Sequence, residues 1–376
     1  MIYLDYNATT PVDERVLQAM LPYFNQQFGN AASKAHAFGW VAESAVKTSR
    51  EQIAQLLNVE PGEIIFTSGA TEAINMALFG VLQNYSSKGS HIITVATEHK
   101  AVLDTCLALE KRGTRVSYLP VDTEGRIDLA ELESQIGYDT ILICVMLANN
   151  ETGVLQDIAS IGTLAKKHGI LFMSDVTQAV GKIPVDIQAL NIDIAPLSAH
   201  KFYGPKGIGA LFIRRKKPRV SLPPLIYGGG HERGLRSGTL NVPGIVGMGA
   251  AAGIVNEELD IDKQRIITLR DQLQWAFQSL PNTVINGSLN YRLPNTLNIS
   301  FTGLNTPSIL GKLSDKVAVS SGSACTSASL EPSYVLKAMG KDDRTALASI
   351  RFSVGRFTSE TEIDSVITTV KRLVNS

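Results

Sequence analysis

The chain has 376 residues, of which 44% are hydrophobic and 19% charged, an ordinary globular composition that is long enough for two domains. Its 35 lysines and arginines balance 35 aspartates and glutamates, so the charge gives no support to nucleic acid or an anionic membrane as main partner. Three cysteines cannot form a disulfide framework, no apolar run reaches the roughly 18 residues of a membrane span, and the N-terminus does not resemble a signal peptide. We therefore expect a soluble, cytoplasmic protein.

Apolar and amphipathic segments alternate from about residue 60 to residue 215. The strand-like segments are residues 64–67, 91–96, 115–119, 140–147, 170–174, 192–197 and 210–213. The helical patterns between them are residues 72–82, 101–112, 128–135 and 157–168. This alternation predicts an α/β fold with a mostly parallel sheet covered on both faces. Polar residues at the carboxyl ends of its strands should meet in one crevice.

The pattern changes after residue 215. Glycines at 228–230 lead to a long helical pattern over residues 246–280, which we interpret as a bridge to a second domain. Further strand and helix patterns are residues 296–301, 317–320, 332–339, 349–353 and 359–374. We predict a large domain over residues 13–255, and a smaller α+β domain formed by residues 256–376 together with residues 1–12.

Lys201 is the most informative single residue, because it follows an apolar strand pattern and precedes a turn that contains glycine and proline. Burial lowers the pKa of a lysine and leaves a nucleophilic amine, which a Schiff base with an aldehyde cofactor requires. A solvated loop lysine is the common alternative. Asp175 ends another apolar strand pattern, where a carboxylate needs a partner such as the ring nitrogen of pyridoxal phosphate. The alternative for Asp175 is a helix N-cap.

Two neighbouring segments carry groups suited to the same cofactor. Residues 68–72 follow a strand pattern and open a helical one, so backbone N–H groups and the Thr71 hydroxyl could bind a phosphate, although a plain helix cap has the same pattern. Ser198 and His200 lie beside Lys201 and could reach that phosphate. His99 follows a strand pattern, where an imidazole could stack on a cofactor ring and move protons, although a lone histidine is more often structural.

The segment 319–330 consists mainly of small and hydroxyl residues and carries one cysteine, Cys325. No side chain in it is large enough to anchor it in a core, so we expect a mobile loop with an exposed, reactive thiolate. Cys106 and Cys144 lie in apolar patterns and are predicted to be inert core thiols. Arg351, in a strand pattern, is suited to a substrate carboxylate, with a structural salt bridge as an equal alternative. No spacing of cysteines and histidines indicates a metal site.

These motifs together closely resemble the cysteine desulfurases of the NifS/IscS type, within the class V aminotransferase-like pyridoxal phosphate enzymes. The resemblance runs nearly end to end and is carried by residues 3–11, 97–100, 149–151, 175–178, 198–207, 236–239 and the Cys325 segment. It implies the fold of type I pyridoxal phosphate transferases, with a seven-stranded sheet. It also implies an enzyme that takes sulfur from L-cysteine, releases L-alanine and carries the sulfur as a persulfide on Cys325. Acceptor proteins for iron–sulfur cluster assembly or tRNA thiolation would then receive the sulfur.

The resemblance also implies roles for the residues around the cofactor ring. Lys201 would hold pyridoxal phosphate as a Schiff base and would be catalytic, together with His99 and Cys325. Asp175 would bind the pyridine nitrogen, and Gln178 would hydrogen-bond the ring hydroxyl. His99 would stack on the ring.

For the phosphate and the substrate, the resemblance implies a second set of residues. The phosphate would be held by Ala70, Thr71, Ser198 and His200. Thr239 would reach the phosphate of a neighbouring subunit's cofactor, which implies a homodimer with two shared sites. Asn149 and Arg351 would hold the substrate carboxylate.

Three departures from the family pattern are conservative: Ala31 stands where proline is common, and Ser174 and Val176 flank Asp175 where other residues are usual. An aminotransferase or a selenocysteine lyase would use the same cofactor, and a non-catalytic protein of this fold would only bind partners. The Cys325 segment argues against the aminotransferase, and the presence of every expected catalytic group argues against the non-catalytic protein. No direct nucleic-acid partner is expected.

Overall fold

The computed structural model describes residues 1–302, 306–321 and 331–374. The described chain contains a central β-sheet and a smaller antiparallel sheet. The strands are β1 (Ile2–Tyr3), β2 (Ile64–Thr67), β3 (His91–Val95), β4 (Arg115–Leu119), β5 (Thr140–Cys144), β6 (Leu171–Met173), β7 (Ile194–Ser198), β8 (Gly209–Ile213), β9 (Thr283–Ile285), β10 (Thr296–Phe301), β11 (Val317–Ala318), β12 (Ser320–Ser321) and β13 (Ser349–Ser353). The α-helices are α1 (Glu14–Met20), α2 (Pro22–Asn25), α3 (Ala37–Leu57), α4 (Ala70–Tyr85), α5 (Lys100–Glu110), α6 (Leu129–Gln135), α7 (Ile158–His168), α8 (Val242–Gln278), α9 (Thr306–Leu313), α10 (Tyr334–Ala338), α11 (Asp343–Leu347) and α12 (Glu360–Val374).

The central sheet has seven strands in the order β2-β8-β7-β6-β5-β3-β4. Strand β8 runs antiparallel to both of its neighbours, and the other neighbouring pairs are parallel. Because the parallel strands run in the same direction, their carboxyl ends lie along one edge. The predicted α/β fold with a mostly parallel seven-stranded sheet is confirmed.

Alternating side chains of the central sheet pack into two separate cores. Ile143 and Phe172 belong to a core with α1, α3, α7 and the first half of α8. Their chain neighbours Leu142 and Met173 belong to the core on the opposite face, with α4 and α5. Burial on both faces explains why these strands are continuous apolar runs in the sequence.

The second sheet has the antiparallel order β12-β13-β10-β9, while β1 pairs in parallel with β11. Its core is formed by the C-terminal half of α8, by α12 and by residues such as Leu4, Phe301 and Phe352. The 37-residue helix α8 thus contributes to the cores beside both sheets. The predicted domain boundary between residues 255 and 256 falls inside this helix, which packs into both cores. The division of the chain into two domains therefore stays a prediction. No helix in the described ranges is long and apolar enough to cross a bilayer.

Several predicted elements differ from the structure. The segment 317–320, predicted as one strand, is part of two short strands, since β11 pairs with β1 and β12 with β13. The segment 140–147 ends as a strand at Cys144, although Val145 and Leu147 still donate to carbonyls of Met173 and Asp175. Helices α1–α3 have no counterpart among the predicted elements, because exposed apolar residues such as Leu17, Phe24 and Trp40 interrupt their amphipathic periodicity.

A buried histidine, His91 on β3, makes the stability of the central sheet dependent on pH. Its ring nitrogens lie 2.8 Å from Thr140 Oγ1 and 2.9 Å from Ser117 Oγ. Burial, and next the charge of Arg115, lower the pKa of His91 to about 4. The unfolded chain takes up this proton near pH 6.5, so the contribution of His91 to stability is complete above that pH. It is lost as the pH falls from about 6.5 to about 4.

We predict that the free energy of unfolding of the natural protein falls more steeply between pH 7 and pH 5 than that of His91→Gln. Glutamine keeps hydrogen-bonding groups at this position but does not titrate. The measurement is urea unfolding of both proteins at several pH values. Parallel pH profiles for the two proteins would contradict the assignment.

Candidate active site

A cavity of about 590 Å³ lies where the carboxyl ends of the central strands meet. Ser68 and His99 follow β2 and β3, and Met146 and Asp175 follow β5 and β6. From the other sequence-predicted positions, the structure brings into the lining Ala70, Thr71, Gln178, Ser198, His200, Lys201 and Arg351. The expected convergence of polar strand ends in one crevice is therefore found.

Lys201 ends the short 3₁₀ turn Ala199–Lys201 that directly follows β7. Its Nζ donates to the main-chain carbonyls of Asn7 and Ala8 at 2.7 and 2.8 Å. The alternative of a freely solvated loop lysine is excluded by this position in the cavity wall. The N-terminal segment that carries Asn7 therefore lies against the amine.

Asp175 is buried at the end of β6 and lines the same cavity. Its Oδ1 accepts a hydrogen bond from the N–H of Thr177 at 2.9 Å. This bond closes a turn and uses one carboxylate oxygen; no helix begins in the described residues between Asp175 and β7, so the helix N-cap considered as the alternative is not found. A carboxylate in the wall remains suited to a protonated ring nitrogen.

His99 is the N-cap residue of α5, and its Nδ1 accepts from the N–H of Ala101 at 3.1 Å. An Nδ1 atom that accepts places the proton of the neutral ring on Nε2. Burial lowers the pKa of His99; the charge of Asp175 opposes this effect and that of Lys201 adds to it. The side chain is therefore a neutral imidazole that can donate from Nε2 near pH 7.

The turn before α4 forms a cradle of N–H groups. The first turn of a helix leaves its N–H groups without intrahelical acceptors, and here they belong to Ala70, Thr71 and Glu72 at the cavity wall. A Cβ atom on Gly209 would lie 2.6 Å from Cα of Gly69, so only glycine allows this close approach of the turn to β8. The cradle therefore has the donors that a phosphate needs.

His200 lies beside the cradle, with its Nδ1 3.1 Å from the hydroxyl of Thr9. Burial, and next the charges of Lys201 and Lys206, lower the pKa of His200 to about 4. The ring of His200 is therefore a neutral hydrogen-bonding group near pH 7, and both lysines also line the cavity.

Gln178, in the turn after β6, and Arg351, on β13 of the antiparallel sheet, both line the cavity. Gln178 Nε2 donates to the carbonyl of Asn7 at 2.9 Å. Arg351, on β13, donates to Asp5 Oδ1 at 2.7 Å and to the carbonyl of Asn150 at 2.9 Å. Its buried Nε has no partner among the described residues. The salt bridge considered as the alternative is thus present. It and the bond to Asn150 use two of the five N–H groups of the guanidinium, and the side chain still lines the cavity.

Asn149 and Thr239 are not part of the cavity lining. The Asn149 amide is used internally: its Nδ2 donates to the carbonyl of Thr97 at 3.0 Å and its Oδ1 accepts from the N–H of Thr152 at 2.9 Å. The neighbouring Asn150 lines the cavity instead. Thr239 is exposed. The roles assigned to Asn149 and Thr239 stay predictions, and Cys325 lies outside the described residues.

The polar residues in or behind the wall that were not predicted from the sequence include Asn7, Lys182 and Glu98. Glu98 precedes His99 and is buried, and its Oε1 accepts from the N–H of Met146 at 2.6 Å. Burial raises the pKa of Glu98 well above its usual range; the bond from Met146 opposes this effect. The signal that could have identified Asn7 and Glu98 as site residues was their position in the family motifs 3–11 and 97–100.

The residues present fit pyridoxal phosphate. They provide an amine at Lys201, a carboxylate at Asp175, and N–H donors with nearby lysine charge for a phosphate. Within the described part of the chain, no group of histidine, cysteine, aspartate and glutamate residues is arranged to hold a metal ion.

Comparison with known proteins agrees with this chemistry. The family model of class V aminotransferases matches residues 2–366. The chain is 54% identical, over 367 residues, to a protein named cysteine desulfurase IscS from Anaeromyxobacter dehalogenans (strain 2CP-C), and the match covers 97% of this chain and 90% of that protein. A solved NifS-like protein superimposes with a TM-score of 0.92 at 40% identity, covering 100% of this chain and 99% of its own. The structure titled SspA in complex with cysteine has a TM-score of 0.83 at 37% identity, covering 96% of this chain and 100% of its own.

Proposed function

This chain belongs to the class V aminotransferase family and is a pyridoxal-phosphate-dependent cysteine desulfurase, and we propose that Cys325 carries the sulfur of L-cysteine as a persulfide. L-alanine is the second product. The sulfur then passes to a protein acceptor, for iron–sulfur cluster assembly or tRNA thiolation, in the cytoplasm. The observation that carries the proposal is the meeting of Lys201, Asp175 and the N–H cradle in one cavity.

Each ring-facing group has a proposed task. Pyridoxal phosphate, when bound, supplies an aldehyde for amines and a ring that accepts electrons from the substrate Cα. Lys201 holds the aldehyde, Asp175 holds the ring nitrogen protonated and Gln178 hydrogen-bonds the ring hydroxyl. The proposed phosphate ligands are Ala70, Thr71, Ser198 and His200.

The remaining residues act on the substrate. Arg351, which lines the cavity, binds the carboxylate of L-cysteine through guanidinium N–H groups that Asp5 and Asn150 do not use. Lys201 Nζ takes the proton from Cα, and the neutral His99 donates a hydrogen bond from Nε2 to the reacting groups. The Cys325 thiolate forms a bond to the substrate sulfur as the Cβ–S bond of the substrate breaks.

We predict that Cys325→Ser keeps the visible absorbance of the bound cofactor but lowers alanine and sulfide production from L-cysteine by about a hundredfold or more, because serine cannot accept the sulfur. The matched control is Cys106→Ala, which should keep full activity because burial raises the pKa of Cys106 to about 12. Activity is measured with a reductant present, and the persulfide is sought by mass spectrometry of the intact protein. Full activity of Cys325→Ser would contradict the role of Cys325.

We also propose that the protein is a homodimer in which Thr239 approaches the partner's cofactor. The aromatic side chains of Phe24, Phe28, Phe38 and Trp40 are each more than half exposed, and the rings of Phe28 and Phe38 lie 5.2 Å apart. Exposed apolar clusters of this kind mark protein interfaces. Trp40 lines a surface cavity together with Leu240, the residue after Thr239. A second copy on this face would therefore cover the aromatic cluster next to Thr239.

We predict that light scattering at micromolar concentration gives twice the mass of a single chain. Phe28→Asp should shift the protein toward the single-chain mass, because it places a charge in the apolar interface. Tyr138→Asp is the control, since Tyr138 is a fully exposed aromatic residue outside the cluster. A single-chain mass for the natural protein, or equal effects of the two variants, would overturn the dimer proposal.

A further inference from the structure

Lys182 is a buried lysine behind the cavity wall whose partners are carboxamides. Its Nζ donates to Gln178 Oε1 at 2.5 Å and to Asn7 Oδ1 at 3.3 Å. Among the described residues, its hydrogen-bond partners include no carboxylate. A buried lysine without an opposite charge is costly, so its presence at this place needs an explanation.

The donors of this amine match the acceptors around it. Burial lowers the pKa of Lys182 well below its usual range, and the charges of Lys201 and Arg351 act in the same direction. The amide oxygens of Gln178 and Asn7 accept two of its N–H groups. Lys182 therefore acts here as a hydrogen-bond donor to two carboxamides.

The Lys182 amine is linked to Lys201 through a chain of hydrogen bonds. Gln178 gives its Oε1 to Lys182 and its Nε2 to the carbonyl of Asn7. The same carbonyl accepts from Lys201 Nζ. The Gln178 amide is thereby held at both ends, and the second N–H of its Nε2 is left for the cavity that Gln178 lines.

The backbone between Gln178 and Lys182 is also held against the catalytic lysine loop. Gly181 has φ +78°, and a Cβ atom there would lie 2.4 Å from Cβ of Phe202, the residue after Lys201. Only glycine permits this contact. The turn that carries Gln178 and Lys182 therefore packs directly against the segment that carries Lys201.

We propose that Lys182 is a positioning residue, whose amine holds the Gln178 carboxamide so that Nε2, and not Oε1, is offered to the ring hydroxyl oxygen of pyridoxal phosphate. The inference rests on the cofactor contact proposed for Gln178. Without the amine, the buried Oε1 loses its donor, and the amide rotates or shifts to find another.

The test is a double-mutant cycle with the holoenzyme, in which the dissociation constant of pyridoxal phosphate is measured from visible absorbance after equilibrium dilution. Lys182→Met should raise that constant about tenfold, the equivalent of one hydrogen bond. In the Gln178→Ala background, the same substitution should change it by no more than about twofold, because the amide to be positioned is gone. Lys111→Met, the loss of an exposed lysine, is the control and should have no effect.

The cycle separates positioning from a purely structural role. Equal effects of Lys182→Met in both backgrounds, or no effect in the natural background, would overturn the inference while leaving the proposed function intact. No effect of Gln178→Ala alone would overturn both the inference and the role proposed for Gln178. Thermal melting checks the fold of each variant. If Lys182→Met does not fold, Lys182→Gln, whose shorter side chain cannot reach both acceptors, replaces it in the cycle.

Discussion

The candidate active site depends on the placement of Asn7 across the carboxyl ends of the central strands. Its main-chain carbonyl accepts from Lys201 and Gln178, and its Oδ1 accepts from Asn295 Nδ2 at 2.9 Å. Its Nδ2 donates to Thr296 Oγ1 at 2.9 Å, at the start of β10. One residue near the N-terminus thus joins Lys201 to the antiparallel sheet that carries Arg351, so both parts of the cavity wall share one set of hydrogen bonds.

Desolvation determines which groups in the cavity carry charge. It lowers the pKa values of His99 and His200, so these two side chains are neutral hydrogen-bonding groups near pH 7, and it lowers the pKa of Lys182 well below its usual range. The lining also contains lysine and arginine side chains, Lys206 and Arg351 among them. These groups support the proposal that the cavity binds two anions, a phosphate at the N–H cradle and a carboxylate at Arg351.

Periodicity and strand ends predicted the part of the site that the sheet positions. Lys201 and Asp175 follow buried strands, and parallel strands bring their carboxyl ends together, so their convergence could be anticipated. Contacts that depend on packing between residues distant in sequence could not be anticipated. Nothing local distinguishes Asn149, whose amide holds its own turn, from Asn150, which lines the cavity. Lys182 follows a glycine and has a charged side chain, so its burial appears only when residues distant in sequence pack around it.

The most direct test of the account measures alanine and sulfide production from L-cysteine with a reductant, while the visible spectrum of the same sample is recorded. The account predicts a protein with the absorbance of bound pyridoxal phosphate that produces alanine and sulfide in equal amounts. A protein with that absorbance that produces neither, or that produces alanine without sulfide, would contradict it.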